Sequence, residues 1–346
     1  MEIANRAMSE IVGNDTLKAR LCEDILNNSL HHAYILEGAT GSGRHTLAIM
    51  TAAALSCENK EDKSKPIPCL TCPTCKKIIE KKSPDVIFQG SEGKASIGVD
   101  IARFLKEDVH IVPNDLEHKV YIIEDADKLT PQAQNALLLT LEEPPSFVHF
   151  FLLCNNASAF LETIKSRAPI LRTEMLSDEQ IDEYISANDR RAAQMKLASR
   201  DEYNELIKVS GGSIGTALDL LDPVNRNPIL EQRHLAERFV SLAINRAPKK
   251  EILAYIPIFE KKRHLLTEWL ILLANALRDL IFVKKSDNTP LSFYCDINNA
   301  IELSDKVSLT FLYSFQTSVL NAIEENKRNA NLKLLLTKML ITADLI

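Results

Sequence analysis

A chain of 346 residues, 45% apolar and 25% charged, has the size of two or three domains and an ordinary globular composition. Its net charge of −6 argues against a protein that grips nucleic acid alone, since such domains are usually basic. No segment approaches the ~18 consecutive apolar residues of a membrane span, and the first residues lack the blocks of a signal peptide. We therefore expect a cytoplasmic protein that does not enter a membrane.

The first predicted elements are a strand, a glycine-rich turn and two helices. Apolar residues at helical spacing from Leu17 to Leu26 predict an opening helix. Residues 33–36 are predicted to form a buried strand and residues 46–55 a helix, with the glycine-rich segment 38–43 between them. In that context glycines let backbone amides approach phosphate, and the helix N-terminus adds positive potential. The segment is therefore a candidate phosphate-binding loop.

The loop keeps the glycines of the phosphate-binding pattern and loses its last two residues. Gly38, Gly41 and Gly43 are present, but Arg44 stands where Lys should reach the phosphates, and His45 where a hydroxyl should hold Mg²⁺. Arg is bulkier and planar, and His is a poor ligand for an ion that seeks oxygen. A vestigial loop, nucleotide binding without turnover and a working ATPase all stay open, so ATP binding is doubtful.

A cysteine cluster follows the loop and its helix. Cys57 is followed by Cys69, Cys72 and Cys75 in the segment PCLTCPTCKK. Four thiolates in two overlapping CxxC pairs are the ligand set of a closed, structural zinc site. An iron–sulfur cluster, redox chemistry and unliganded thiols are the alternatives. We predict a structural Zn²⁺ that stabilises the fold of a small insertion.

A second buried strand ends in acidic residues. Residues 120–123 form a β-branched and aromatic run, which predicts a strand of a parallel sheet, and Glu124 and Asp125 follow it. Thr130 offers an N-cap and Pro131 fits the first position of the next helix. Ligands of open α/β sheets bind outside the carboxyl ends of the strands, so these acids are placed to meet a metal or a phosphate. A solvated acidic strand end is the plainer interpretation.

Two more strands and another helix are predicted in the same part of the chain. A turn and strand are predicted at residues 83–88, a helix beginning with Ile97 to Arg103, and a strand at residues 147–153 that ends in Cys-Asn-Asn. Arg167 comes after the last of these strands. It is either a solvated charge or a cation offered to a phosphate on another subunit.

The remainder of the chain predicts helices. Ser177 and Gln180 form a capping box for the first of them. Residues 222–228, with two prolines, are predicted to be a linker, and long amphipathic patterns after residue 229 predict a helical bundle. The expected fold is α/β plus all-α, with a parallel sheet. The predicted domains are residues 1–173 with a zinc module at about 57–75, residues 174–224 and residues 225–346.

Several linked motifs together resemble one family. HHAYILEGATGSG, the four cysteines, VYIIEDADKL, NALLLTLEEPP, FLLCNN and the Ser-Arg pair at 166–167 stand in the order found in bacterial clamp-loader subunits of the AAA+ class. The resemblance covers about residues 10–222. It implies a RecA-like AAA+ domain, a small helical lid and a helical collar through which subunits assemble.

The departures from the family pattern concern nucleotide chemistry. The loop ends in Arg44-His45, the acids run Glu124-Asp125 in reversed order, and Gly215 stands where a sensing Arg would be. These losses resemble the delta-prime branch of the DNA polymerase III clamp loaders, which does not hydrolyse ATP. A gamma/tau-like ATPase with a divergent loop is the alternative, and a zinc-dependent DNA-binding module is a weaker one.

The resemblance also implies a role and partners. Arg167 matches the family's arginine finger, although Ala168 replaces the Cys that usually follows it. A delta-prime-type subunit would have no catalysis of its own and would complete the active site of a neighbour through Arg167. Its expected partners are gamma/tau and delta subunits in a hetero-oligomer, and the sliding clamp and primed DNA through that complex.

Overall fold

A computed structural model describes residues 7–91, 93–285, 291–328 and 330–346. The chain divides into two compact units, Met1–Tyr184 and Ile185–Ile346. The predicted division into three domains, whose first six residues lie outside the described part, stays a prediction. Among the described residues, no helix is both long and apolar enough to cross a membrane.

The first unit contains a five-stranded sheet in the order β2-β3-β4-β1-β5, and every neighbouring pair is parallel. Its strands are β1 (Ala33–Glu37), β2 (Val86–Gln89), β3 (Lys119–Ile123), β4 (Val148–Cys154) and β5 (Ile170–Arg172). This confirms the predicted parallel α/β fold.

Helices cover both faces of this sheet. They are α1 (Asp15–Leu26), α2 (Arg44–Leu55), α3 (Pro73–Ile79), α4 (Val99–Asp108), α5 (Pro131–Glu142) and α6 (Glu162–Lys165), while α7 (Asp178–Asn188) crosses the boundary between the units. Alternate residues of β3 point to opposite faces: Val120 belongs to the core cluster with α1 and α2, and Tyr121 to the cluster with α4 and α5. A strand buried on both faces needs an apolar residue at every position, which is why β3 could be recognised.

Local capping rules place several helix starts. The Thr130 hydroxyl accepts a hydrogen bond from the Ala133 amide at 3.2 Å, and Pro131 is the first residue of α5, as predicted. The Ser177–Gln180 capping box is also confirmed, with reciprocal bonds of 2.9 and 3.3 Å. The helix expected to begin at Ile97 begins at Val99. Ile97 instead forms a bridge with Leu129, because its amide and carbonyl bond the chain that follows β3.

The second unit is helical throughout its described elements. These are α8 (Arg190–Ala198), α9 (Arg200–Ser210), α10 (Ile214–Leu220), α11 (Pro223–Ile244), α12 (Lys249–Leu253), α13 (Ile256–Lys261), α14 (Leu266–Lys284), α15 (Ile297–Asp305), α16 (Leu309–Lys327) and α17 (Leu332–Thr342). Trp269 lies at the centre of the core, with its ring 4.5 Å from that of Phe259 and 5.0 Å from that of Phe239. The predicted helical bundle is confirmed.

The predicted linker at residues 222–228 is wrong, because this segment starts the 22-residue helix α11. The Asp222 carboxylate caps the helix by accepting from the Val224 amide at 2.9 Å, and Pro223 occupies the first turn, where no amide donor is needed. Pro228 lies inside the helix and removes one hydrogen bond near its start. Two prolines that resemble a break are therefore accommodated in one helix.

Candidate functional site

The glycine loop lies between β1 and α2, at the carboxyl edge of the sheet. Gly41 and Gly43 have φ of 85° and 83°, in the left-handed region where a side chain is unfavourable. Gly38 is required for a different reason: a Cβ there would stand 2.1 Å from the Thr173 hydroxyl oxygen and 2.6 Å from that of Ser42. The backbone shape of a phosphate loop is therefore retained.

The strand order brings the predicted acids to this loop. Since β3, β4 and β1 are neighbours, the residues that follow them share one edge of the sheet. Glu124 and Asp125 follow β3, and Asn155 follows β4, whose last residue pairs in register with Glu37 at the end of β1. Loop, acids and amide thus form one cluster, as ligand sites at the carboxyl ends of parallel strands do.

His45 and Glu124 bind each other. The His45 Nε2 lies 2.8 Å from a Glu124 carboxylate oxygen, and the Lys81 ammonium lies 3.3 Å from the same ring nitrogen. Burial, followed by the Lys81 charge, lowers the pKa of His45, against the opposing effect of Glu124. In a working phosphate loop these positions would share Mg²⁺ through a hydroxyl and an acid. Here the His45 imidazole contacts the Glu124 carboxylate directly.

Arg44 binds the amide at the end of β4. Its Nη2 donates to the Asn155 side-chain oxygen at 3.0 Å, and the Thr40 hydroxyl donates to the same oxygen at 3.2 Å. The Asn155 backbone amide in turn donates to Asp127 at 3.2 Å. The cation at the position of the phosphate-binding lysine is thus directed to a side-chain amide of its own chain.

Asp125 is held in a local network of hydrogen bonds. Its carboxylate accepts from the Ser91 hydroxyl at 2.5 Å and from the Lys128 ammonium at 3.0 Å. The Ser91 hydrogen bond, then that of Lys128, lowers the pKa of Asp125. A carboxylate with a lowered pKa is a weak general base at neutral pH. Arg44, His45, Glu124 and Asp125 therefore each contact another side chain of this chain.

The four predicted cysteines come together. The sulfur atoms of Cys57, Cys69, Cys72 and Cys75 all lie within 4.8 Å of one another, and all four side chains are buried. A tetrahedral zinc with bonds of ~2.3 Å holds its sulfurs about 3.8 Å apart, so the cluster is the right size for one ion. The group could therefore bind a metal through four thiolates.

Hydrogen bonds to sulfur prepare this cluster for thiolates. The amides of Cys69, Cys72 and Cys75 each donate to a cysteine sulfur at 3.4 Å, and the Asn59 side chain donates to Cys69 at 3.3 Å. The hydrogen bond from the Cys75 thiol lowers the pKa of Cys57 to about 5, while the same bond, followed by burial, raises the pKa of Cys75. Donors aimed at buried sulfur stabilise its anionic form, which is the form that binds metal.

The cysteine module is part of the core beside the sheet. The Met8 amide donates to the Ile67 carbonyl at 2.6 Å, and the Cys22 thiol donates to the same oxygen at 3.7 Å. These four cysteines belong to the same apolar cluster as α1 and α2. The module therefore contacts the chain ahead of α1 as well as its own insertion.

Arg167 lies directly after α6, away from the residues of the loop in sequence. Its Nη1 donates to the Thr163 carbonyl at 2.8 Å, and its Nη2 donates to the Glu142 carboxylate at 2.5 Å. The side chain is 32% exposed. It is thus a surface arginine, held by the carbonyl end of a helix and by one carboxylate.

A parallel sheet in this order, with a glycine loop after β1 and acids after β3, is the arrangement of the AAA+ class of α/β domains. Residues 13–177 match a family model described as "DNA polymerase III, delta subunit". DNA polymerase III subunit gamma of Buchnera aphidicola is 27% identical in an alignment of 293 residues that covers 82% of this chain and 79% of the relative. The chain is thus similar to subunits of DNA polymerase III over a large part of its length.

Other relatives match over a shorter part. DNA polymerase III subunit gamma/tau of Mycoplasma pneumoniae is 30% identical over 217 residues, covering 63% of this chain but only 31% of the relative. Among solved structures, a DNA polymerase III gamma subunit-related protein from Thermotoga maritima is 18% identical, with a TM-score of 0.46 over 94% of this chain and 98% of that one.

The sequence did not predict which side chains contact Arg44, Asp125 and Arg167. Lys128, three residues after Asp125, had a detectable signal, since that spacing favours a local ion pair. Asn155 was noticed only as a strand end. Its position beside the loop depends on β4 lying between β3 and β1. No local pattern indicated that Ser91 would contact Asp125 or that Glu142 would contact Arg167.

Proposed function

We propose that this chain is a clamp-loader subunit of delta-prime type, which does not hydrolyse ATP. The proposal depends most on the contact between His45 and Glu124 at 2.8 Å. An imidazole is a poor ligand for Mg²⁺, and it occupies the carboxylate that would help to hold the ion. The contacts of Arg44 with Asn155 and of Asp125 with Lys128 support the same conclusion.

In this role the chain acts on the nucleotide of a neighbouring subunit. Arg167 is the residue offered in trans, and its partly exposed side chain supports that assignment. The partners are subunits of gamma/tau and delta type in a hetero-oligomer. The complex loads a sliding clamp onto primed DNA during replication. The chain contributes an arginine and a structural surface, and no catalysis of its own.

Zn²⁺ is the metal we assign to the four-cysteine cluster. Four thiolates form a closed tetrahedral set that leaves no ligand position for a substrate, which is the pattern of a structural site. The ion would fix the fold of the insertion and its contact with the core. It takes no part in nucleotide chemistry.

ATP binding and turnover by the purified chain with Mg²⁺ test the proposal. We expect no hydrolysis, with a gamma-type subunit assayed in parallel as the positive control. Binding without turnover would make the loop a structural nucleotide site in a subunit that still does not hydrolyse ATP. Turnover that disappears in Arg44→Ala would contradict the proposal.

A gamma/tau-like ATPase with a divergent loop is the second candidate, favoured by the gamma and gamma/tau names of the matched relatives. It requires Arg44 to leave Asn155 and bind phosphate. It also requires Asp125 to position water, although Asp is one methylene shorter than the usual Glu and is bound by Lys128. The same turnover assay separates the two candidates.

A further inference from the structure

Arg167 is anchored firmly at its backbone and weakly at its tip. The buried Gln134 side chain of α5 accepts from the Leu161 amide at 2.8 Å and donates to the Ala159 carbonyl at 3.1 Å. Ile164 is 1% exposed and belongs to the core cluster beneath α5. The chain that carries Arg167 is therefore fixed to α5, and only its side chain is free to reorient.

The tip of Arg167 is held by Glu142, the last residue of α5. The two side chains are 32% and 41% exposed, so water and salt screen their attraction. The Nη1 of the guanidinium is also bound, by the Thr163 carbonyl and by the Ser166 hydroxyl at 3.3 Å. Both terminal nitrogens are thus occupied within the chain.

We propose that Glu142 is a positioning residue that withholds Arg167 from the neighbouring nucleotide until phosphate displaces the carboxylate. This inference rests on the proposed function of Arg167. A phosphate carries more charge than a carboxylate and accepts bidentate bonds from arginine. The partly exposed pair with Glu142 is weak, so a phosphate that binds the guanidinium through two hydrogen bonds can displace the carboxylate. Because the backbone is anchored, release requires only rotation of the side chain.

Neutralising Glu142 should make the arginine more available. An exposed ion pair changes an equilibrium by at most about fivefold. In a complex reconstituted with gamma-type and delta subunits, we expect Glu142→Gln to raise kcat/KM for ATP by about two- to fivefold. The gain should shrink as salt is added, since salt screens the attraction that the mutation removes. A purely structural role of Glu142 would not give that salt dependence.

Two further variants make the test specific. Glu143→Gln removes a neighbouring exposed carboxylate that does not contact Arg167 in the described structure, and it should leave kcat/KM unchanged. In the Arg167→Ala background, Glu142→Gln should have no effect, because the group that it releases is absent.

The possible failures are distinguishable. If Arg167→Ala lowers turnover but Glu142→Gln does not raise it, the positioning role is wrong and the proposed function stands. A lower rate in Glu142→Gln would mean that Glu142 orients the arginine productively, which also overturns the inference. If Arg167→Ala itself leaves turnover unchanged, the arginine has no role in trans, and the role of Glu142 falls with it.

Discussion

His149 shows how a single buried group couples the fold to pH. It is the second residue of β4, with its ring 5.2 Å from that of His118 and its Nδ1 3.3 Å from the His31 carbonyl oxygen. Burial lowers the pKa of His149 to about 4, and the hydrogen bond to His31 opposes this only in part. The folded protein therefore keeps this imidazole neutral.

Stability should fall as the solution is acidified through this window. Between about pH 6.5 and 4 the unfolded chain binds a proton on His149 that the folded chain does not, so this contribution to stability is complete above pH 6.5 and is lost as the pH falls to about 4. The contribution is on the order of 3 kcal/mol. Denaturant unfolding from pH 7 to 4 should show a smaller loss for His149→Asn than for the wild type. The exposed His110→Asn is the matched control, and equal slopes for all three proteins would contradict the prediction.

At the scale of elements, the cysteine module joins an insertion to the main core. Three of its cysteines come from the turn before α3 and from α3 itself, and Cys57 comes from the chain just after α2. Because Ile67 bonds both Met8 and Cys22, the module also holds the start of the chain and α1. Metal loss should therefore disturb more than the insertion.

Removal of the metal should destabilise the first unit. Structural zinc commonly contributes on the order of 10–16 kcal/mol of binding free energy at neutral pH. We expect one zinc per chain by elemental analysis after gentle purification, and its loss in Cys72→Ser with a lowered unfolding temperature. Cys295→Ser changes an exposed cysteine outside the cluster and should keep the metal. Wild-type protein that contains no zinc, or that unfolds identically with and without a chelator, would contradict the assignment.

Elements were predictable where burial and capping agree. After its first residue, Lys119, the strand β3 is apolar because both of its faces are covered, and α5 begins where Thr130 and Pro131 predict. The linker at residues 222–228 was predicted wrongly because local sequence does not distinguish a proline in the first turn of a helix from a proline in a linker. Only the packing of the rest of α11 distinguishes the two.

At the scale of the whole molecule, the site depends on a strand order that local patterns do not contain. The sequence identified the glycine loop, the acids and the cysteines, since each has its own short motif. It did not reveal that Arg44 meets Asn155 or that Arg167 meets Glu142, residues 111 and 25 positions apart. Such pairs follow from β4 lying beside β1 and from α6 packing on α5.

The role of Arg167 can be tested only in the assembly. We expect Arg167→Ala to leave the chain folded and able to assemble, because its side chain is partly exposed and its backbone is anchored by Gln134 and Ile164. The ATPase site that we propose it completes should lose most of its turnover, given a typical value of about 10³–10⁵ for such an arginine. DNA-stimulated ATPase of the reconstituted complex measures this. Arg103→Ala, an exposed arginine on α4 paired with Asp100, is the control.

Gly38 limits what a glycine pattern can say about nucleotide chemistry. The side chain of Thr173, next to β5, occupies the space in which a Cβ at Gly38 would lie, so packing alone demands glycine there. Loss of nucleotide chemistry would not relax that demand. Glycine positions alone therefore do not distinguish a working nucleotide loop from one that has lost its chemistry. The two residues after Gly43, Arg44 and His45, are the positions whose side chains indicate whether the loop can bind phosphate and Mg²⁺.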